Sequence, residues 1–181
     1  MVLVPTMMHR LLHHPQLSDF DLRSLRYVSY GAAPMPPALL RAFMKRFPTI
    51  HVCQSYGQTE CSPVATSLHY RDHLKSGPFG DQSKTVGRAV TGVELAIVDK
   101  DGTPLPPDTV GEITVRGPNV MKGYWRNPEA TAKAIRNGRL HTGDLGSMDD
   151  AGFVTLFDRI KDMVIRGGEN VYPKEIEEFL Y

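Results

Sequence analysis

The chain changes its pattern near Thr85, and that change limits the fold more than any other feature. Leu25-Arg26-Tyr27-Val28-Ser29-Tyr30 alternates and is rich in strand formers, which predicts a strand ended by Gly31-Ala32-Ala33-Pro34. Pro36 and Pro37 open a helix on which Leu39, Leu40, Phe43, Met44 and Phe47 recur at helical spacing. Ile50-His51-Val52-Cys53-Gln54-Ser55 reads as a second strand, whose end delivers Tyr56 to Glu60 in a loop. Strand, helix, strand is the order of a parallel α/β sheet, in which ligands sit beyond the carboxyl ends of the strands. Gly31-Ala32-Ala33 and Tyr56-Gly57-Gln58-Thr59-Glu60 both fall at such ends. Upstream, a short apolar segment breaks at Pro5 and a helix is expected from Thr6.

After Thr85 hairpins take over. Gly92 to Val98 is a strand followed by the turn Asp99-Lys100-Asp101-Gly102. Gly111 to Gly117 is another strand, and Asp149-Asp150-Ala151-Gly152 turns into Phe153 to Phe157. These predict an antiparallel, barrel-like subdomain. One helix interrupts it, from Pro128 to about Ile135, with Asn137-Gly138 as its stop. Near the C-terminus, Pro173 opens a helix carrying Ile176, Phe179 and Leu180 on one stripe, with no capping glycine or asparagine after it. So short a helix is marginal alone, so the natural chain is expected to be longer. The fold class expected is mixed α/β and β. Its parts are a partial α/β subdomain over 1–85, a β-barrel-like subdomain over 86–158, and a hinge with the start of a small domain over 159–181.

Composition removes several classes. Hydrophobic residues make up 41% and charged residues 23%, a globular balance, and the net charge of +1 draws the chain neither to nucleic acid nor to anionic membrane. No apolar run is long enough to span a bilayer, and the N-terminus lacks the pattern of a signal peptide. Cys53 and Cys61 fit neither a zinc ribbon nor a disulfide framework and read as buried free thiols of a cytoplasmic protein.

Candidate chemistry collects in a few places. Thr59 and Glu60 put a hydroxyl and a carboxylate in a glycine-containing loop, suited to a phosphate and its magnesium ion; a solvated loop with Thr59 as a helix cap is the alternative. Asp144, after Thr142-Gly143, could accept both hydroxyls of a ribose, or simply bond its own turn. Arg159 could donate to ribose or phosphate, or form a surface ion pair. Gly167-Gly168 permits close ligand approach or a tight turn. His9 and His13 lie four apart with no intervening glutamate or third ligand, so they read as a surface or partly buried pair. Met7, Met8 and Met44 read as core fillers. No phosphate-binding Gly-x-x-x-x-Gly-Lys loop, nucleophile elbow, nucleophile or base is found.

Taken in order, Ser55-Tyr56-Gly57-Gln58-Thr59-Glu60, Gly111-Glu112-Ile113-Thr114-Val115-Arg116-Gly117, His141-Thr142-Gly143-Asp144-Leu145-Gly146, Asp158-Arg159-Ile160-Lys161-Asp162 and Arg166-Gly167-Gly168-Glu169-Asn170 resemble the adenylate-forming acyl-CoA synthetases. Aryl-CoA ligases, luciferases and peptide-synthetase adenylation domains share that superfamily. The resemblance runs over essentially all 181 residues. It implies that Thr59 contacts the α-phosphate of ATP or acyl-adenylate, that Glu60 helps bind magnesium, and that Tyr56 and Gly57 frame the adenine. Gly31, Ala32 and Ala33 would line the acyl pocket and touch the adenine. Asp144 and Arg159 would hold the ribose, Lys161 would be the hinge of a rotating lid, and Gly167 and Gly168 would border the pantetheine tunnel of coenzyme A.

The implied reaction joins a small-molecule carboxylic acid to coenzyme A through acyl-AMP. The Gly-Gly-Glu-Asn-Val-Tyr-Pro stretch most resembles fatty- or medium-chain synthetases. An aryl-CoA ligase, a carrier-protein loader, a luciferase-like enzyme and a non-catalytic fragment are the alternatives. The superfamily's phosphate loop ending in lysine and its C-terminal catalytic lysine have no match in these residues. The isolated chain is therefore expected to be inactive, because adenylation depends on charge stabilisation around the transferring phosphate.

Overall fold

The structure, a computed structural model, describes residues 1–74, 79–166, 169–171 and 173. The strands are β1 (Val2–Leu3), β2 (Tyr27–Gly31), β3 (His51–Tyr56), β4 (Thr66–Leu68), β5 (Arg88–Ala89), β6 (Glu94–Val98), β7 (Gly111–Arg116), β8 (Ile135–Arg136), β9 (Arg139–Met148), β10 (Val154–Arg159), β11 (Val164–Arg166) and β12 (Glu169–Val171). Helices α1 (Pro5–Leu12), α2 (Pro37–Arg46) and α3 (Pro128–Ala134) complete the set, with short 3-10 turns between. The class is mixed α/β, as expected. One sheet, ordered β1-β2-β3-β4-β5, contains parallel pairs; the other, ordered β10-β9-β7-β6 with β8 on β9, is an antiparallel half-barrel. β11 and β12 pair antiparallel with each other.

The first sheet is parallel only through β3. β1 and β3 flank β2 in parallel register, while β4 returns antiparallel beside β3. Period-two alternation explains its buried face: Val28 and Tyr30 of β2 and Val52 of β3 are sealed by Met8 of α1 and by Leu40 and Phe43 of α2. α1 begins one residue before Thr6, because Pro5 takes the first helical position, where its fixed φ and missing N–H cost nothing. Met8 is fully buried and Met44 packs against this core, as expected of fillers, but Met7 is half exposed.

The half-barrel has its own apolar centre, with Ile113 and Val115 of β7, Leu140 of β9 and Val154 of β10 essentially inaccessible. Asn137-Gly138 is not a helix stop. Both residues have positive φ, 51° and 71°, and they form the two-residue turn joining β8 to β9. The helix has already ended at Ala134, where the backbone of β-branched Ile135 becomes extended and pairs with Leu140. The expected turns at 99–102 and 149–152 are present, each closed by a glycine N–H donating to the first aspartate's carbonyl, at 3.1 and 2.9 Å. The expected helix from Pro173 to Tyr181, with Ile176, Phe179 and Leu180, lies outside the described residues apart from Pro173 itself.

Candidate active site

The carboxyl ends of β2 and β3 lie side by side, with Gly31 opposite Ser55. A side chain at Gly31 would run into the Ser55 carbonyl, and one at Gly57 into the Pro63 carbonyl. The chain's own packing therefore demands glycine at both positions. Ala32, exposed just beyond β2, sits in the left-handed region at φ 65°. That conformation costs an alanine about 1–2 kcal/mol. Ala33 is exposed beside it.

Tyr56 is the last residue of β3 and not part of a loop. Its pairing with Thr66 of β4 fixes its direction, and its ring packs into both apolar clusters of the half-barrel. Its hydroxyl donates to Oδ2 of Asp144 at 2.7 Å, joining the two sheets. Arg159 of β10 stands opposite Asp144 in register and places Nε 3.5 Å from Oδ1. The Asp144 side chain is only 13% exposed, while that of Arg159 is 62% exposed. Burial pushes the Asp144 carboxyl above its usual range. The Tyr56 hydroxyl and the Arg159 charge pull it back, and Glu112 and Asp158 push it further up. Burial first, then the Asp144 charge, also raises the Tyr56 phenol, so it remains a protonated donor.

A second group forms beyond Gly57. Thr59, Glu60 and Cys61 make a 3-10 turn, where a loop was expected, and the Thr59 side chain is exposed. The buried Cys61 thiol donates to the Gln58 carbonyl at 3.2 Å and accepts from its N–H at 3.3 Å, which closes the turn locally. Asn119 holds it from the half-barrel side, donating through Nδ2 to the carbonyls of Cys61 at 2.9 Å and Val64 at 3.0 Å. Tyr124 donates to Oε1 of Glu60 at 2.7 Å, and that bond is the main cause of its raised phenol pKa. Among the described residues no three His, Cys, Asp or Glu side chains gather as a metal site.

The structure thus brings Tyr56, Asp144 and Arg159 together and pairs Glu60 with Tyr124. Lys161 is exposed two residues past Arg159. Gly167 and Gly168 lie outside the described residues. His9 and His13 form an exposed ring pair, 4.3 Å between centroids. Both cysteines are free; Cys61 is fully buried and Cys53 partly so, and burial raises both thiols.

Glu112, Thr142 and His141 stand inside the sequence motifs, where nothing local marks a role for them. In the structure they surround Asp144. Glu112 accepts the Gly143 N–H at 3.1 Å through Oε1 and meets His141 Nδ1 at 2.7 Å through Oε2. Thr142 Oγ1 donates to the Ile113 carbonyl at 2.7 Å and accepts the Asp144 N–H at 3.1 Å. Asn119 and Tyr124 gave no sequence signal, because their partners lie more than fifty residues away.

This architecture is that of adenylate-forming enzymes. It superposes on o-succinylbenzoate CoA synthetase (MenE) from Bacillus subtilis, solved with the acyl-adenylate intermediate OSB-AMP, with a TM-score of 0.85 at 35% identity, covering 99% of this chain and 34% of that one. Residues 1–125 match the AMP-binding enzyme family, and the chain belongs to it. It is 44% identical over 180 residues to a feruloyl-CoA synthase of Amycolatopsis sp, covering 98% of this chain and 35% of that protein. It is 40% identical over 177 residues to the medium/long-chain-fatty-acid–CoA ligase FadD8 of Mycobacterium tuberculosis, covering 98% of this chain and 30% of that protein. The chain spans about a third of the length of the curated relatives it matches.

Proposed function

We propose that the full-length protein carrying this chain is an AMP-forming acid–thiol ligase. A carboxylate oxygen attacks the α-phosphorus of ATP and expels pyrophosphate; the thiol sulfur of coenzyme A then attacks the acyl carbon and expels AMP. The observation that carries this reading is the Tyr56–Asp144–Arg159 cluster, where the ends of β3 and β10 meet the middle of β9. Asp144 is kept buried against its own ionisation, yet it keeps acceptor capacity beyond the Tyr56 bond. A ribose diol would supply two donors. A carboxylate whose ionisation is opposed by burial, and which is matched with a specific donor and a cation, suits a functional group better than a structural one.

In this reading Thr59 donates to the α-phosphate and Glu60 helps hold magnesium. A single carboxylate beside phosphate oxygens is a usual magnesium arrangement, and the ion, when bound, would neutralise charge on the phosphates. The Tyr124 bond fixes the Glu60 carboxylate for that task. Tyr56 and Gly57 frame the adenine, and Gly31, Ala32 and Ala33 line the acyl pocket. Residues 1–85, 86–158 and 159–181 would be the α/β subdomain, the half-barrel subdomain and the hinge with the start of a lid. Lys161 would serve as the pivot, and Gly167 and Gly168 would border the coenzyme A tunnel. The two free thiols suit a reducing cytoplasm. No helix among the described residues is long and apolar enough to cross a membrane.

A fatty acid is the substrate we favour, from the Gly167 to Pro173 stretch. A hydroxycinnamate is the second reading, favoured by the higher identity to the feruloyl-CoA synthase. AMP release by the full-length protein with ATP, magnesium, coenzyme A and either decanoate or ferulate separates them. No acid-dependent AMP release with a range of alkyl and aryl acids would refute the ligase reading. In the same protein, Asp144→Ala should raise the ATP Kd by about tenfold or more, since a hydrogen bond to a charged group contributes ~1.5–3 kcal/mol.

A further inference from the structure

The Asp144 turn is an irregularity in the middle of a long strand. Along the β7–β9 pair, Glu112 faces Leu145 but Thr114 faces His141, so β9 carries extra residues at Thr142, Gly143 and Asp144 opposite the single residue Ile113. Gly143 takes φ 74°, and nothing lies within 4 Å of where its Cβ would be. Such a bulge re-aims a side chain and breaks the ladder, leaving backbone groups without their strand partners. Two side chains replace the ladder here. Glu112 Oε1 accepts the Gly143 N–H, and Thr142 Oγ1 bridges the Ile113 carbonyl and the Asp144 N–H. On the other side the Gly143 carbonyl accepts the Ile160 N–H at 2.8 Å.

Glu112 is itself anchored. Its other oxygen meets His141 Nδ1, and Arg136 Nη2 donates to it at 3.2 Å. The side chain is 14% exposed and that of His141 8%. A carboxylate this enclosed, with one oxygen on a backbone N–H of the bulge and the other on two side chains, has little freedom to move.

We infer that Glu112 is a positioning residue for nucleotide binding: by capping the Gly143 N–H, it sets the bulge that presents Asp144 to the ribose. Thr142 completes the same clamp. This inference rests on the ribose-binding reading of Asp144. It requires Glu112 to govern affinity for ATP without touching it, and to leave affinity for the carboxylic acid alone.

The test uses the full-length protein with Asp144→Ala, Glu112→Ala, Glu112→Gln and Thr142→Val. The ATP Kd is measured by calorimetry, and KM is measured for ATP and for the acid. Loss of one hydrogen bond to a charged acceptor corresponds to about a tenfold change. Glu112→Ala should raise the ATP Kd about tenfold and leave the acid KM within about twofold. Glu112→Gln keeps an acceptor for the Gly143 N–H but sets its amide nitrogen against the Arg136 guanidinium, so the side chain must give up the Arg136 contact, and it should recover part of that affinity. Thr142→Val is close to isosteric and should repeat the ATP-selective loss, so the inference can still fail if Glu112→Ala does not fold. Asp144→Ala separates the two ways of being wrong. If it weakens ATP binding while the Glu112 and Thr142 variants leave the Kd unchanged, the clamp is refuted and the ribose reading stands. If Asp144→Ala leaves the Kd unchanged, both fall. Equal loss for ATP and acid in Glu112→Ala would make Glu112 a fold residue only and would also overturn the inference.

Discussion

Replacing Tyr56 by phenylalanine should cost stability in a way that depends on pH. The ring can stay where it is, because Tyr56 packs its carbon face into both half-barrel clusters. Only the hydroxyl is lost, and with it the 2.7 Å bond to Asp144 that ties the first sheet to the second. A hydrogen bond to an ionised acceptor contributes about 1.5–3 kcal/mol, and one between neutral groups about 0.5–1.5 kcal/mol. For a chain of this size, about 2–4 °C of melting temperature goes with each kcal/mol. Tyr56→Phe should therefore lower the midpoint by about 3–12 °C at neutral pH.

The sign of the pH effect follows from Asp144. Its folded pKa lies above the unfolded value, chiefly through burial. Ionising it thus costs the folded state, and that cost comes in as pH rises from the unfolded value through the folded pKa. The Tyr56 hydroxyl is the largest influence opposing the upward shift. Removing it moves the folded pKa higher still, so the variant loses more stability than the wild type on going from acid to neutral pH. Tyr56 itself stays protonated throughout this window, since its phenol is pushed up. Thermal unfolding of both proteins at pH about 4 and 7 should show the gap between them shrinking at the lower pH. An equal or wider gap at pH 4, or no gap at pH 7, would mean that the bond does not stabilise the ionised carboxylate.

Asn119→Ala should lower stability by about 1–3 kcal/mol, because it strands the Cys61 and Val64 carbonyls; a midpoint unchanged in thermal unfolding would rule this out. The same change should make Cys61 more reactive toward a thiol reagent at neutral pH, where the wild-type thiol, fully buried with a raised pKa, should react only on unfolding. Lys161→Pro in the full-length protein should separate the half-reactions, since proline fixes the φ about which the proposed hinge would turn. Pyrophosphate exchange retained with thioester formation lost is the expected pattern, and unimpaired thioester formation would sink the hinge assignment.

The elements legible in the sequence were those whose signal is local. β2, α2, β6 and β7 follow from alternation or from helical spacing over a few residues. β9 did not, although at ten residues it is the longest strand. Its centre reads Thr142-Gly143-Asp144-Leu145-Gly146, which is turn chemistry. The same residues that hide the strand make the bulge, because glycine takes the left-handed φ that the irregularity needs. Asn137-Gly138 is ambiguous in the sequence for a related reason. A left-handed pair can end a helix or turn a hairpin, and only the tertiary pairing of Ile135 with Leu140 decides between them.

The candidate site divides along the same line. Its residues stand in local sequence motifs, but its chemistry is set by contacts across the fold: Tyr56 to Asp144, Tyr124 to Glu60, and Asn119 to the Cys61 turn. The Tyr56 bond crosses from the end of a strand in the first sheet to a bulge in the second, so neither sheet alone carries the site. A carboxylate buried at an energetic cost at such a junction is stable only while both sheets hold their shape. Nucleotide affinity in the full-length protein should therefore respond to changes in the Glu112–His141–Arg136 support behind the bulge, and stability to the loss of the Tyr56 hydroxyl in front of it.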